Sequence, residues 1–512
     1  MNQAKKNSKE YVVNFKGLNL GEGYQSGELS ACENLSSAEA PCLTQRFGRV
    51  PVNTYTNAEA IHVKGELMVI AGGKVMYGNR EIGSVNEKRK QIVNVGKFII
   101  IYPDKLFYNT ENGEFGSMDI LHNATSAVFT HNTITANVAW KFKAHDAVTI
   151  SGCTTFPENN QCIIVEKVEG NVLTFMDNSF KVHGEIAEGE TAPTSYTEEG
   201  SLSFTRIAPD LDFICESNYR LWGCKDDYIY GSKWNDPFNF QVLDMLEDNS
   251  YNINVGTDGE WTGCAAYSSH ICFFKENYIH KLYGSKPSNF QLVTTQASGV
   301  QKGCERSICT VNEILLYKGV NGVYAYSGGV PELISGRFGM RRFFDACAAS
   351  DGDRYYISMH ENLDWHLMVY DIGKGIWLRE DDSHCIDMVN HNGYVYMLME
   401  DGRLVAISQH MNEEVEWSAT FCPFDETMNE RKGYSKFHLR LELDAGSWVA
   451  LDIKRDIDNE WQRVYTHQNE RKRTVSIPVL PARCDSVELR LSGKGGCKIR
   501  TLIREFFTGS DV

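Results

Sequence analysis

Arg220-Leu221-Trp222-Gly223-Cys224 leads into Tyr228-Ile229-Tyr230-Gly231. His270-Ile271-Cys272-Phe273-Phe274-Lys275 leads into Tyr278-Ile279-His280-Lys281-Leu282-Tyr283-Gly284. Glu313-Ile314-Leu315-Leu316-Tyr317 leads into Gly322-Val323-Tyr324-Ala325-Tyr326. Each module between Cys215 and Gly339 is an apolar strand, a turn of charged, Asn or Gly residues, and a second strand alternating large and polar side chains. Such alternation turns one strand face to a core and the other to solvent. Recurrence at roughly 40–50 residues is the mark of propeller blades.

Working outward, similar clusters occur at His62–Gly83 and Gln91–Tyr108, and at about 212–245, 260–293, 303–335, 345–380 and 385–408. Together they predict an all-β chain built on a β-propeller of about seven blades; six or eight blades also fit these boundaries. Between about 136 and 206 the rhythm breaks. Asp146–Cys153, Cys162–Val165 and Val172–Phe175 are short alternating strands with Asn/Gly turns, read as an inserted small β-barrel. The acidic piece from Gly184 to Gly200 reads as a solvated, mobile hairpin or loop. After about residue 410 the strands lengthen, as in Phe437–Leu443, Trp448–Ile453 and Val487–Leu491, and predict a C-terminal antiparallel β-sandwich. Residues 1–50 carry few clear elements and read as an extended arm or a surface loop. The domain plan is therefore 1–50 arm, 51–135 first blades, 136–206 insert, 207–410 remaining blades and 411–512 sandwich.

The 512 residues are 42% hydrophobic and 11% aromatic, enough for buried cores, and carry a formal net charge of −16 with pI near 5.4. Acidity argues against bulk non-specific nucleic-acid binding, whose phosphate contacts need clustered Lys and Arg. The segment from 411 on is nearly neutral, so the negative charge lies upstream of it. Arg440, Arg490 and Arg500 there read as a solvated strand face. The 15 cysteines include no CxxC and no pair followed by two His at finger spacing, so they read as buried, reduced, hydrophobic side chains and no metal is expected. The start of the chain is polar and basic with no apolar run behind it, and no stretch approaches 18 apolar residues. Neither a signal peptide nor a membrane segment is expected.

No catalytic motif stands out: there is no GxSxG, HExxH, P-loop or GxGxxG after a strand. Gly256-Thr257-Asp258-Gly259-Glu260-Trp261 resembles a sialidase Asp-box, but its Asp and Gly are adjacent rather than one residue apart. Glu380-Asp381-Asp382 reads as a solvated acidic turn after Trp377. The scattered His residues read as satisfied polar side chains. Trp222, Trp234, Phe238, Phe240, Trp261, Phe273, Phe274, Tyr283 and Phe290 could stack sugars or bases, but in a repeat propeller they are expected to fill the wedges between blades. No catalytic, cofactor-binding or metal residue is assigned, and no enzyme activity is expected.

Three runs carry a family resemblance: Asn218-Tyr219-Arg220-Leu221-Trp222-Gly223-Cys224 with Asp236-Pro237-Phe238-Asn239-Phe240; Gly256 to Gly263; and Phe274-Lys275-Glu276 through Ile279–Gly284 to Pro287–Gln291 and Gly299–Gly303. With Asn34-Leu35, Arg46-Phe47-Gly48 and the terminal strands, they make the chain similar to bacteriophage tail accessory proteins. These are the packaged-DNA stabilisation, or tail nozzle, proteins of short-tailed phages. The inserted segment departs from the plainest members. The resemblance implies a structural component of the virion tail, assembled in the host bacterial cytoplasm as a homo-oligomeric ring, a hexamer being expected. The ring would lie below the portal and adaptor, continue the DNA channel without specific DNA binding, help retain packaged DNA, and anchor tail fibres or tailspikes. Two other classes remain open: a receptor- or glycan-binding tail protein, and a propeller glycosidase. A WD-repeat scaffold is disfavoured because the Gly-His and Trp-Asp signature is missing.

Overall fold

The computed structural model describes residues 6–86, 89–185, 191–241, 249–408, 414–468 and 473–508, and these contain strands, turns and four short 3-10 turns but no α-helix. Seven four-stranded antiparallel sheets follow one another along the chain. Sheet 1 holds Ala58–Lys64, Glu66–Ala71, Lys74–Tyr77 and Arg80–Ser84. Sheet 2 holds Gln91–Val95, Phe98–Tyr102, Leu106–Asn109 and Phe115–Ser117. Sheet 3 runs from Phe213–Ser217 to Tyr251–Asn254, sheet 4 from Trp261–Tyr267 to Gln291–Gln296, sheet 5 from Cys309–Val311 to Glu332–Leu333, and sheet 6 from Phe344–Ser350 to Ile376–Asp381. Within each the strands are hydrogen-bonded in chain order, as short turns between alternating segments dictate.

Sheet 7 breaks that rule. Cys385–His391, Tyr394–Met399 and Arg403–Ile407 supply three strands, and the fourth is Arg49–Thr54 from the other end of the chain. The register runs from Arg403 opposite Thr54 to Ile407 opposite Arg49. Pro51 is tolerated there because this strand is the sheet's edge, where a missing N–H costs no ladder bond. The turn into it is close. Tyr55 donates its N–H to the Gly402 carbonyl at 2.8 Å. A Cβ at Gly402, whose φ is +86°, would lie 1.8 Å from the Tyr55 carbonyl oxygen.

The chain divides into two compact units, 1–72 with 298–512 and 73–297, the first cut falling in the Gly72-Gly73 turn inside sheet 1. In the second unit the first strands of sheets 2, 3 and 4 pack in succession; in the first unit those of sheets 5, 6 and 7 and Ala58–Lys64 do the same. Large aromatics fill the spaces between them. Trp222 of sheet 3, 1% exposed, meets Phe290 at 5.2 Å and shares a core with Cys215, Trp261 and Phe273. Gly231 leaves room for that indole, since a Cβ would stand 2.6 Å from its ring. Phe240 is likewise buried, whereas Trp234 is 47% exposed and Phe238 lines a cavity. The wedge reading thus describes most of the aromatics but not Trp234, while Phe238 packs against the core shared by sheets 2 and 3 as well as facing the cavity.

Between sheets 2 and 3 stands a seven-stranded sheet that begins at Ile120, upstream of residue 136. Its order is Cys162–Ile164, Ala147–Ser151, Ser195–Arg206, Ile120–Thr130, Thr133–Ala136, Val172–Thr174 and Lys167–Glu169. The two ends of that order are joined covalently through Val165-Glu166, so one bent segment closes on strands from both sides. Phe129, Val148, Val165, Phe175, Leu202 and Phe204 are fully buried inside it. The acidic piece expected to be solvated is in part a strand. Glu198 is 0% exposed and accepts the N–H and hydroxyl of both Thr154 and Thr155 at 2.9–3.2 Å. Its partners lie over 40 residues upstream, out of reach of local reading. Glu188 and Glu190 lie outside the described residues.

Two further sheets, antiparallel except where Gly17–Leu18 runs parallel to Glu28–Leu29, hold the rest of the strands. One holds Lys6–Val12, Leu35–Ser36, Leu43–Gln45, Lys432–Leu443, Thr474–Pro478, Arg483–Cys484 and Cys497–Thr508. The other holds Gly17–Leu18, Glu28–Glu33, Glu416–Phe421, Trp448–Arg455, Gln462–His467 and Val487–Lys494. Along Val487–Lys494 buried Val487, Leu489 and Leu491 alternate with partly exposed residues, as one buried face requires. The segment read as an N-terminal arm is instead built into these sheets: Lys6–Val12 pairs with Leu502–Thr508, and Glu28–Glu33 with Glu416–Phe421. Strands whose partners are over 300 residues away leave no local signature beyond short apolar runs.

The acidic triplet also departs from expectation. Only Asp382 is exposed; Glu380 is 3% exposed and its carboxylate lies 3.0 Å from Arg49. Asp381 pairs with the same guanidinium, which also reaches the Ser383 hydroxyl at 2.8 Å. Burial raises the Glu380 carboxyl in spite of Arg49. For Asp381 the charge of Arg49 and bonds from Ser383 overcome burial and hold it below the usual range. Arg49 therefore ties the borrowed strand of sheet 7 to the last strand of sheet 6. Removing one member of a buried pair costs about 3–5 kcal/mol. Arg49→Ala is expected to lower unfolding free energy by about that amount in denaturant titration, while Arg403→Ala, an exposed side chain at the end of the partner strand, changes it by less than about 1 kcal/mol.

Candidate functional site

The first strands are rich in small residues. Phe344–Ser350 contains Ala346-Cys347-Ala348-Ala349, and Trp261–Tyr267 contains Gly263-Cys264-Ala265-Ala266. Cys215, Cys264, Cys309, Cys347 and Cys385 place one thiol on the first strand of each of sheets 3 to 7. Small side chains there let neighbouring strands approach, and thiols fill the residual space as hydrophobes. Burial pushes the Cys309 and Cys385 thiols up to about 12, far from thiolate chemistry at neutral pH. All 15 cysteines are unpaired, and among the described residues no three His, Cys, Asp or Glu could hold a metal ion.

In the first unit a cleft of about 620 Å³ opens among the ends of first strands, lined by His62, Val311, Asn312, Ser350, Asp351 and Asn390 among others. Asp351 is its one lining carboxylate, and it is already engaged. It pairs with Arg354 at 2.9 Å, accepts the Asp353 and Arg354 N–H groups, and accepts the Tyr356 hydroxyl at 3.2 Å. A glycosidase needs two carboxyl groups in different environments, and this cleft does not bring two together. Nearby, Arg306 donates to the carbonyl oxygens of Glu59 at 3.1 Å and Ile386 at 2.8 Å, linking the segment before sheet 5 to first strands of sheets 1 and 7. These groups serve cohesion between sheets.

A larger cavity, about 950 Å³, lies in the second unit between sheet 2, the inserted sheet and the Asn235–Phe238 turn. Phe98, Phe107 and Phe238 form a triangle with centroids 4.9–5.7 Å apart. The Arg206 guanidinium sits 5.3 Å over Phe238, donates to Asp146 at 2.6 Å and to the Met118 carbonyl at 3.2 Å. Asn239 holds the other side of this arrangement, accepting the Ala147 N–H at 3.1 Å and donating to Asp146 at 3.3 Å. Lys97, Glu111, Glu114, Phe115, Lys141, Lys143 and Asp236 complete the charged and aromatic lining. Sequence reasoning singles out Phe238 as a stacking candidate and quotes Asp236 and Asn239 only within the run around it. The others come from segments that only the fold brings together.

The histidines of sheet 4 show how buried polar groups are handled. His280, fully buried, meets the hydroxyls of Thr257 at 3.0 Å and Thr294 at 2.8 Å. His270 meets the Ser269 hydroxyl at 3.0 Å. Burial, aided by Lys275 and Lys281 respectively, lowers the His280 and His270 imidazoles to about 4.

Comparison with known proteins gives limited guidance. No protein-family profile and no curated protein sequence matches the chain. Among solved structures it is similar to BamB from Moraxella catarrhalis, at 10% identity over 72% of this chain and 98% of that one, with a TM-score of 0.35. It is similar to the phage phi92 endosialidase at 10% identity over 75% and 74%, TM-score 0.27. For Kluyveromyces lactis Hsv2 the values are 12%, 52% and 88%, with a TM-score of 0.29. The fold described above rests on the chain's own strand pairing.

Because His270 and His280 bind protons less tightly folded than unfolded, the stability they contribute is complete above 6.5, their unfolded value, and is lost as pH falls toward 4. The melting temperature is expected to fall steadily between pH 6.5 and 5, above the ordinary carboxylate range, with the raised Glu380 carboxyl held constant between protein and variant. In His280→Asn, which keeps polar contacts without a titrating ring, that slope is reduced. An unchanged slope in thermal denaturation of the variant removes His280 as a source.

Proposed function

We propose that the chain is a structural subunit of a bacteriophage tail, a seven-bladed β-propeller with an inserted small β-barrel and a C-terminal β-sandwich. It acts as a nozzle or hub ring below the portal and adaptor. The resemblance of its Trp222–Gly303 phrases to tail accessory proteins supports this reading. The observation that carries it furthest is the way both ends are stitched into one body: Arg49–Thr54 completes sheet 7 and residues 6–45 complete the two terminal sheets. A scaffold that must withstand packaged DNA benefits from having its outermost described strands, Lys6–Val12 and Cys497–Thr508, paired with each other.

The net charge of −16 suits a wall along which DNA slides, since like charge opposes phosphate binding. Buried charges such as Arg49 with Glu380 and Arg504 with Glu426, the latter bidentate at 2.6 and 2.8 Å, are engaged in cohesion. In this reading the subunit forms a homo-oligomeric ring, holds tail fibres or tailspikes, and resides in the virion. The purified full-length protein is expected to form closed rings in negative-stain images and to show no duplex DNA binding in gel shifts at physiological salt. A protein that stays monomeric and is missing from virions by mass spectrometry contradicts the proposal.

A further inference from the structure

We infer that the 950 Å³ cavity of the second unit is a binding site for an acidic glycan, a sugar chain carrying carboxylate-bearing residues. The inference does not depend on the ring, because every lining residue belongs to residues 95–238. The volume lies within the ~300–1,000 Å³ of small-molecule sites.

Its charges are already sorted. Lys97 pairs with Glu111 at 3.4 Å, Asp119 with Lys105 at 2.7 Å, and Asp146 with Arg206 at 2.6 Å. Asp236 accepts the Phe238 N–H at 3.1 Å and, on its other oxygen, the Asn239 side-chain amide, bonds that shape its turn but leave its charge without a cation partner among the described residues. The remaining lysines are Lys141 and Lys143, both exposed, and their ammonium groups make no ion pair among the described residues. Glu114 and Asp236 stand on other walls, in the turn before the last strand of sheet 2 and in the turn after the third strand of sheet 3. Phe98, Phe107, Phe115 and Phe238 supply aromatic surface between these groups.

Arg206 holds one wall of the cavity in place. It is 7% exposed, and its Nε is buried without a hydrogen-bond partner among the described residues, although both terminal nitrogens are engaged. That atom is shut off from solvent, so Arg206 serves the cavity by fixing the Phe238 ring and the Asp146 carboxylate on its wall.

These features favour one ligand chemistry. A sugar carboxylate pairs with Lys141 and Lys143 through charge-assisted bonds. Ring hydroxyls, donors as well as acceptors, suit Glu114 and Asp236. The apolar face of a pyranose suits the phenylalanine rings. A nucleic-acid strand repeats its phosphates against Glu114 and Asp236, whereas a glycan can turn hydroxyls to these carboxylates and its own carboxylate to Lys141 and Lys143.

The test is calorimetric titration of the full-length protein with tetragalacturonate and with sialyllactose, which separate uronic from sialic acids, and with neutral maltotetraose and tetraglutamate. Binding of one acidic sugar is expected, with affinity about tenfold lower in K141A/K143A and unchanged in K167A, an exposed lysine of the inserted sheet outside the cavity. The inference is overturned by lack of binding to both acidic sugars at millimolar concentration. It is equally overturned by affinity indifferent to K141A/K143A, or by maltotetraose or tetraglutamate binding as tightly. Each result leaves the ring proposal to its own test.

Discussion

The pairing of Arg49–Thr54 with Arg403–Ile407 is the contact on which the first unit depends. Three strands of sheet 7 come from one end of the chain and the fourth from the other, so neither end completes the sheet alone. Without the borrowed strand, Arg403–Ile407 becomes an open edge, and an open edge is a template for unwanted pairing. The joint is reinforced at both ends of the strand. At Tyr55 only a glycine at 402 allows the carbonyl to approach. At Arg49 the guanidinium is held by Glu380 and Asp381 of the neighbouring sheet. Closing a loop of some 350 residues costs chain entropy that grows only slowly with length, so a short strand with a buried ion pair can hold it.

Interior chemistry follows from the same architecture. First strands lie side by side, which selects small residues and places a thiol on five of them. Between sheets, wedge-shaped space selects Trp222, Trp261 and Phe290, whose edge-on contacts each contribute roughly 0.5–1.5 kcal/mol beyond area burial. Polar groups drawn inside are satisfied locally: His280 by two threonines, Glu198 by Thr154 and Thr155, Asp351 by Arg354 and Tyr356. Glu198 shows the balance well. Burial alone would raise its carboxyl, yet four donated bonds leave it below the ordinary range.

What could be read from the sequence is what hairpins encode locally. The modules from Tyr219 to Tyr326 are four-stranded sheets with the strands where alternation placed them, because turns at Asp226, Asn277 and Asn321 are short and their partners adjacent. The long strands after Glu416 are legible from their alternation alone, since Lys432–Leu443 pairs with Cys497–Thr508 and Glu416–Phe421 with Val487–Lys494, far along the chain. Hidden from that reading were the contacts made across the chain. Arg49–Thr54 looks like any polar segment with a proline. Glu380-Asp381 looks like a solvated turn until Arg46 and Arg49 arrive from over 300 residues away. The 950 Å³ cavity takes residues from sheet 2, the inserted sheet and a later turn, and no window of sequence contains them together. Its aromatic signal, Phe98 with Phe107 and Phe238, is indistinguishable from wedge packing until the fold leaves those rings on a cavity wall.

Hydrogen–deuterium exchange of the full-length protein tests the chain closure most directly. Peptides covering 49–54 and 403–407 are expected to be protected together and to lose protection together in Arg49→Ala, while sheet 4 peptides keep theirs. Rapid exchange of 49–54 in the unaltered protein, with 403–407 still protected, would contradict the account.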